Sequence, residues 1–350
     1  MKEAYLAKDT LLPLVGLLMA RYRVAAPVAV GDYHQFQILT QPEQLDLTYR
    51  NTRLSPKDLF HPQSEKLFRF STAADDPDAN ILKEVERDQG PRLVFGIRPC
   101  DARALRLVDV NFDTADCQDP WWVERRRNTL LVGLGCTAPC ATCFCSAVGS
   151  GPFDPGGLDL VLTELADGYA VAAASERGEA LLADLDLLSA LDQDRAAAAA
   201  EVQKTAAGTV ARPFDPTPLG DKAMTELFQS PFWEEVAFSC INCGTCTFLC
   251  PTCWCFDIQD EVQKDAGVRL RNWDSCMFPL FTLHGSGHNP RQQKPQRVRQ
   301  RFMHKFKYYI DKYGDGPACV GCGRCVQFCP VNIDIRQVVA LMTARCVCPA

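Results

Sequence analysis

The feature that most constrains this chain is a cysteine run that occurs twice. The first copy is Cys240-Ile-Asn-Cys243-Gly-Thr-Cys246-Thr-Phe-Leu-Cys250-Pro251; the second is Cys319-Val-Gly-Cys322-Gly-Arg-Cys325-Val-Gln-Phe-Cys329-Pro330. Both fit C-x2-C-x2-C-x3-C-P at every position. A cubane of four irons needs four converging thiolates. Two-residue spacers let one loop reach three corners, while the fourth cysteine turns to the other cluster. The spacing therefore assigns Cys240, Cys243, Cys246 and Cys329 to one [4Fe–4S] cluster, and Cys319, Cys322, Cys325 and Cys250 to a second. Glycines follow Cys243 and Cys322, which suits loops whose backbone must approach sulfide and donate N–H groups. Structural zinc is the plain alternative, but it uses paired C-x2-C knuckles rather than three evenly spaced cysteines and a C-P.

Composition supports this chemistry. The chain has nineteen cysteines in 350 residues, thirteen of them between Cys240 and Cys348. Cysteines this dense in a chain without a secretory leader read as metal ligands or redox groups rather than a disulfide scaffold. Met1-Lys2-Glu3 opens no basic leader, and the longest apolar run, Leu11–Ala20, is interrupted by Pro13 and Gly16. Neither a signal peptide nor a membrane span is expected, and a cytoplasmic location follows. A net charge of −6 argues against nucleic-acid binding.

The fold expected is an α/β N-terminal domain followed by an α-helical, ferredoxin-like 2[4Fe–4S] dicluster domain. Leu93–Ile97 and Leu130–Leu134 read as buried strands, with a helix at Asp101–Val108 that Asp101 could cap. Strands alternating with helices favour a largely parallel sheet. Leu158–Leu165 and Tyr169–Ala174 flank Asp167-Gly168 as a hairpin, and Asp194–Ala206 is an Ala-rich helix. The proline-rich stretch Arg212–Pro218 suggests a linker, giving residues 1–209, a linker at 210–220 and a dicluster domain at 221–350.

A third cluster is expected in the N-terminal domain, held by Cys100, Cys136, Cys143 and Cys145. Cys100 and Cys136 each follow a strand and would share the carboxyl edge of a parallel sheet, where open α/β folds place their ligands. Cys143-Phe-Cys145 lies in the loop after the second strand and can fold back over that edge. Buried structural thiols, or zinc, are the alternatives. Cys117 and Cys140 match no spacing and are left unassigned.

Several further segments resemble the beta subunit of soluble sulfhydrogenases and the A subunit of anaerobic sulfite reductase. They are Pro56-Lys-Asp-Leu-Phe60, Phe95-Gly-Ile-Arg-Pro-Cys-Asp101, Cys136 with Cys143-Phe-Cys145, Cys250-Pro-Thr-Cys-Trp-Cys-Phe256, Trp273-Asp-Ser-Cys276 and Gly287-His-Asn-Pro-Arg291. The resemblance implies a subunit that carries electrons between a flavin-containing, NAD(P)-linked subunit and a catalytic one. The catalytic partner would be of hydrogenase, siroheme sulfite reductase or heterodisulfide reductase type, within a hetero-oligomer. Consistent with such a relay, the chain has no complete dinucleotide fingerprint, P-loop or haem attachment motif, so no flavin or nicotinamide site and no catalytic residue is assigned.

Cys253, Cys255 and Cys276 remain outside the two runs. They are either thiols packed beside the clusters or ligands of a further cluster that lacks a fourth cysteine, with His284 or His288 as candidates for the gap. A different function would make these three a catalytic thiol–disulfide or sulfur-reducing site. Arg291–Lys307 carries seven cations and no acid, either a solvated helix face or a counter-charge for anionic clusters. Cys346 and Cys348, near the C-terminus, are read as non-ligands.

Overall fold

A computed structural model describes residues 2–345; Cys346 and Cys348 lie outside them. Eleven strands form two sheets: β1 (Glu3–Ala7), β2 (Arg23–Val30), β3 (Tyr33–Ile38), β4 (Ser64–Ser71), β5 (Lys83–Glu84), β6 (Arg92–Ile97), β7 (Thr129–Leu134), β8 (Leu160–Glu164), β9 (Gly168–Ala173), β10 (Phe256–Gln263) and β11 (Ala266–Trp273). The larger sheet runs β1-β9-β8-β7-β6-β2-β3. Its centre is parallel, with β2, β6, β7 and β8 side by side, and its flanking strands are antiparallel. The expected strands and the β8–β9 hairpin are thus present in a mixed sheet. Leu93, Phe95, Val132, Leu160 and Leu162 fill one face against Leu14 and Leu18. Val94, Ile97 and Leu131 fill the other, against the helix Pro99–Phe112 and Trp122.

That helix starts earlier than its periodicity suggests. Arg98 is the N-cap and Pro99 the first helical residue, so Asp101 is not the cap but lies within the first turn. Just before it, Gly96 takes φ +76° where the β6–β7 register shifts. A Cβ there would come within 2.7 Å of Leu47, so only glycine allows this turn of the chain toward Cys100.

The proposed domain boundary marks a change of composition rather than a gap. β11 pairs with β4 across nearly 200 residues of sequence, building the second sheet, β10-β11-β4-β5, from both halves. The 210–220 segment is no free linker either. Leu219 is fully buried, and Phe214 packs on Phe144 and Phe306. The C-terminal half is otherwise short helices and loops, with the longer helices Lys294–Met303 and Ile335–Arg345 behind them.

Candidate iron–sulfur centres

The two cysteine runs fold alike. In each, a left-handed residue precedes the second cysteine (Asn242 φ 54°, Gly321 φ 65°) and a left-handed glycine follows it (Gly244 φ 75°, Gly323 φ 73°). A four-residue helix then begins, Thr245–Phe248 in one run and Arg324–Gln327 in the other. These glycines turn the loop and admit close packing. A Cβ on Gly244 would meet the Phe278 ring at 2.9 Å, and one on Gly323 the backbone of Thr142 at 2.6 Å. The internal duplication is therefore structural as well as sequential.

Cys240, Cys243, Cys246 and Cys329 line one cavity of about 40 Å³, walled by Met277, Val298, Phe302 and Ile335. Cys325 reaches the same cavity, and Cys250, Cys319 and Cys322 are its electrostatic neighbours on the other side. The fourth cysteine of each run thus lies with the other run's first three. Burial pushes the Cys246 thiol up and Cys319 to about 12. Protons on such thiols must leave when iron binds, which ties metal loading to pH.

Three cations face these sulfurs. Lys57, Arg301 and Lys305 are each no more than 4% exposed, and none pairs with a carboxylate among the described residues. Lys57 donates to the carbonyls of Cys250 and Cys253 (3.1 and 2.9 Å) with its ammonium 3.9 Å over the Trp273 ring. Lys305 donates to the Thr252 hydroxyl (2.7 Å) and the Ala318 carbonyl (3.0 Å), and Arg301 reaches the Cys253 sulfur at 3.8 Å. Burial opposes the charge of Lys305, but the Cys250 and Cys253 sulfurs outweigh it and hold the lysine charged. Buried cations without an anion are costly, so the site calls for a negative group of the kind a thiolate-ligated cluster supplies. The basic segment is accordingly not a solvated face at these positions. A π-helical turn at His304–Tyr308 swings both Lys305 and Lys307 inward.

The N-terminal cysteines meet at the carboxyl edge of β6 and β7. Cys100 occupies the first turn of the helix Pro99–Phe112, whose N-terminal dipole favours an anion. Cys136 and Cys140 are electrostatic neighbours, and the Cys143 amide donates to the Cys140 carbonyl (2.9 Å). The adjacent thiols of this pair pull Cys140 down and drive Cys143 up. Cys145 is an electrostatic neighbour of Cys136; burial raises it to about 11, and its backbone packs against Gly321. Cys140 thus stands with Cys100, Cys136, Cys143 and Cys145, the four that sequence reading groups. The signal was present in Cys140-Ala-Thr-Cys143, a two-residue spacing like those of the duplicated runs. Arg98 is the counter-charge that sequence reading also missed. It is 6% exposed and bonds the carbonyls of Tyr49, Arg50, Leu134 and Gly135, with no carboxylate partner among the described residues.

This edge abuts the second run directly. The Phe144 amide donates to Gly321 (2.8 Å), Asn51 to the Cys322 carbonyl (3.0 Å), and the Cys143 thiol lies 3.7 Å from that carbonyl. Arg324, between Cys322 and Cys325, makes a bidentate pair with Asp101, the neighbour of Cys100, at 2.6 and 2.8 Å. Both side chains are 1% exposed.

Among the described residues, no group of three or more His, Cys, Asp or Glu side chains draws together tightly enough for a single metal ion. No helix among them is long and apolar enough to cross a membrane. His284 and His288 meet edge-on at the surface, their rings 5.3 Å apart.

Residues 239–333 match the family model of the 4Fe-4S dicluster domain. Across 317 residues the chain is 32% identical to sulfhydrogenase 2 subunit beta of Pyrococcus furiosus, covering 89% of this chain and 90% of the relative. No solved structure matches.

Proposed function

The chain belongs to the family of sulfhydrogenase beta subunits, and from that premise we propose that it relays electrons between a flavin-containing, NAD(P)-linked subunit and a catalytic subunit in a cytoplasmic complex. The observation that carries this reading is the continuity of the cysteine sites. Cys240, Cys243, Cys246 and Cys329 would hold one [4Fe–4S] cluster, and Cys250, Cys319, Cys322 and Cys325 a second. Cys325 touches both sites. A third cluster, on Cys100, Cys136, Cys143 and Cys140 or Cys145, would adjoin the second through Cys322.

The clusters supply one-electron chemistry; the protein supplies path and potential. Lys57, Arg301, Lys305 and Arg98 place positive charge beside the sulfurs, which raises reduction potentials. At one end Cys243 is exposed, flanked by Phe238 (86% exposed) and Ile241 (63%). Exposed apolar side chains beside a ligand suit a surface that another subunit covers.

The third cluster is tested by iron content in the anaerobically purified full chain. Cys140→Ser should remove about four irons while sparing the spectrum of the C-terminal pair. If Cys145→Ser removes that iron and Cys140→Ser does not, Cys145 is the ligand. Unchanged iron in both variants eliminates the cluster.

A further inference from the structure

Beyond the relay, three cysteines form a group of their own. Cys255 packs against the buried cluster that contains Cys276, Cys253 is an electrostatic neighbour of Cys276, and the Cys253 amide donates to the Cys250 carbonyl (3.3 Å). They come from two segments that the fold locks together. The Asp274 amide donates to the Cys255 carbonyl (2.9 Å), and fully buried Ser275 bonds Thr247 (2.7 Å) beside the first run. Cys276 is buried and the other two are half-buried.

We infer that Cys253, Cys255 and Cys276 bind a further iron–sulfur cluster with one iron left open to a small anion. Cys250 faces the Cys319 run, so three thiolates are what this site has to offer. His284 and His288 are at the surface, while the His61 ring packs among Phe112, Phe256 and Trp273 and the His304 ring packs on Trp254. Asp274 accepts the Ser275 amide at 2.6 Å through one carboxylate oxygen. The other groups turned toward these sulfurs are cations. Arg301 contacts Cys253, Lys57 bonds the Cys253 carbonyl, and Lys305 is a neighbour of both Cys253 and Cys255. Neutral thiols would leave this side of the three cations unanswered, whereas a thiolate-held cluster answers it. An open iron beside cations selects a small anionic ligand over a neutral one. The inference rests on Cys250 belonging to the second ferredoxin-type site, not on the identity of the relay's partners.

The test uses the full-length holoprotein with cyanide as the probe. Cyanide should perturb the EPR signal of one reduced cluster and leave the coupled C-terminal pair unchanged, since clusters with four cysteines have no free corner. Cys276→Ser should lose three to four irons (roughly one cluster's worth) and the cyanide response together. Cys255→Ser provides a second reading should Cys276→Ser fold poorly, and the cyanide titration of the parent chain needs no variant. Full iron in both variants with no cyanide effect on the parent would overturn the site and leave a buried thiol group. So would loss of iron that takes the ferredoxin-type pair with it. Failure of the relay reading would appear separately, as absence of the pair's own signal.

Discussion

The sheet half and the cysteine half of this molecule are held together by different physics. In the sheet, Leu93, Phe95, Val132 and Leu162 are all but fully buried, and burial of apolar side chains suffices to keep the strands in place. In the cysteine half, the helices that follow the second cysteines are four residues long, too short to persist alone. Beside an apolar core that includes Val298, Phe302, Phe306 and Val339, this half buries Lys57, Arg301 and Lys305 against its sulfurs. Those buried cations favour an anionic group bound beside them. The contrast shows why a chain can carry a self-sufficient sheet and still depend on its cofactors for half its structure.

The comparison breaks most readily at the seam between the halves. Asp101→Asn leaves Arg324 charged, buried and without its carboxylate, while the Thr52 contacts remain. Removing one partner of a buried pair costs about 3–5 kcal/mol, so denaturant unfolding of the holoprotein should move by that order, with earlier iron release. An equal loss from Arg269→Gln, whose Asp260 pair lies exposed on the β10–β11 hairpin, would show that the seam is nothing special.

A smaller effect sharpens the same contrast through pH. His61 lies among Phe112, Phe256 and Trp273 with both ring nitrogens unbonded. Burial, reinforced by Arg271 and Lys57, lowers its pKa to about 3. Between that value and the ordinary 6.5 the unfolded chain binds a proton that the folded chain refuses. Stability is therefore retained above about pH 6.5 and declines as pH falls below it, by at most about 2 kcal/mol from pH 7 to 5. Melting curves of His61→Phe should show a flatter acid limb than the parent over that range. Identical pH dependence would place the titration elsewhere.

Legibility in the sequence divides along the same line. Leu93–Ile97 and Leu130–Leu134 announce themselves as strands because both faces are buried, and the duplicated runs announce their clusters by spacing alone. β10 (Phe256–Gln263) is solvent-exposed along most of its length and carries little apolar signal. Its sheet joins β11 to β4, a long-range pairing that no local pattern encodes. Lys57 and Arg98 carry no local mark of this role, because only the folded chain brings them to the cysteines. Cys140 was legible by its spacing to Cys143 and was passed over, since one two-residue gap is weak beside runs of three. Cys253, Cys255 and Cys276 were visible as surplus; their meeting depends on the Asp274–Cys255 backbone bond, which composition cannot show.

The central claim is that two cubanes sit side by side in the C-terminal half, each completed by a cysteine from the other's run. Low-temperature EPR of the dithionite-reduced full chain tests it most directly. Two clusters that share the cavity wall at Cys325 should give a broad, spin-coupled spectrum that integrates to about two spins, apart from any signal of the further sites. Stoichiometric zinc with no spin signal, or two sharp and independent rhombic signals, would contradict it.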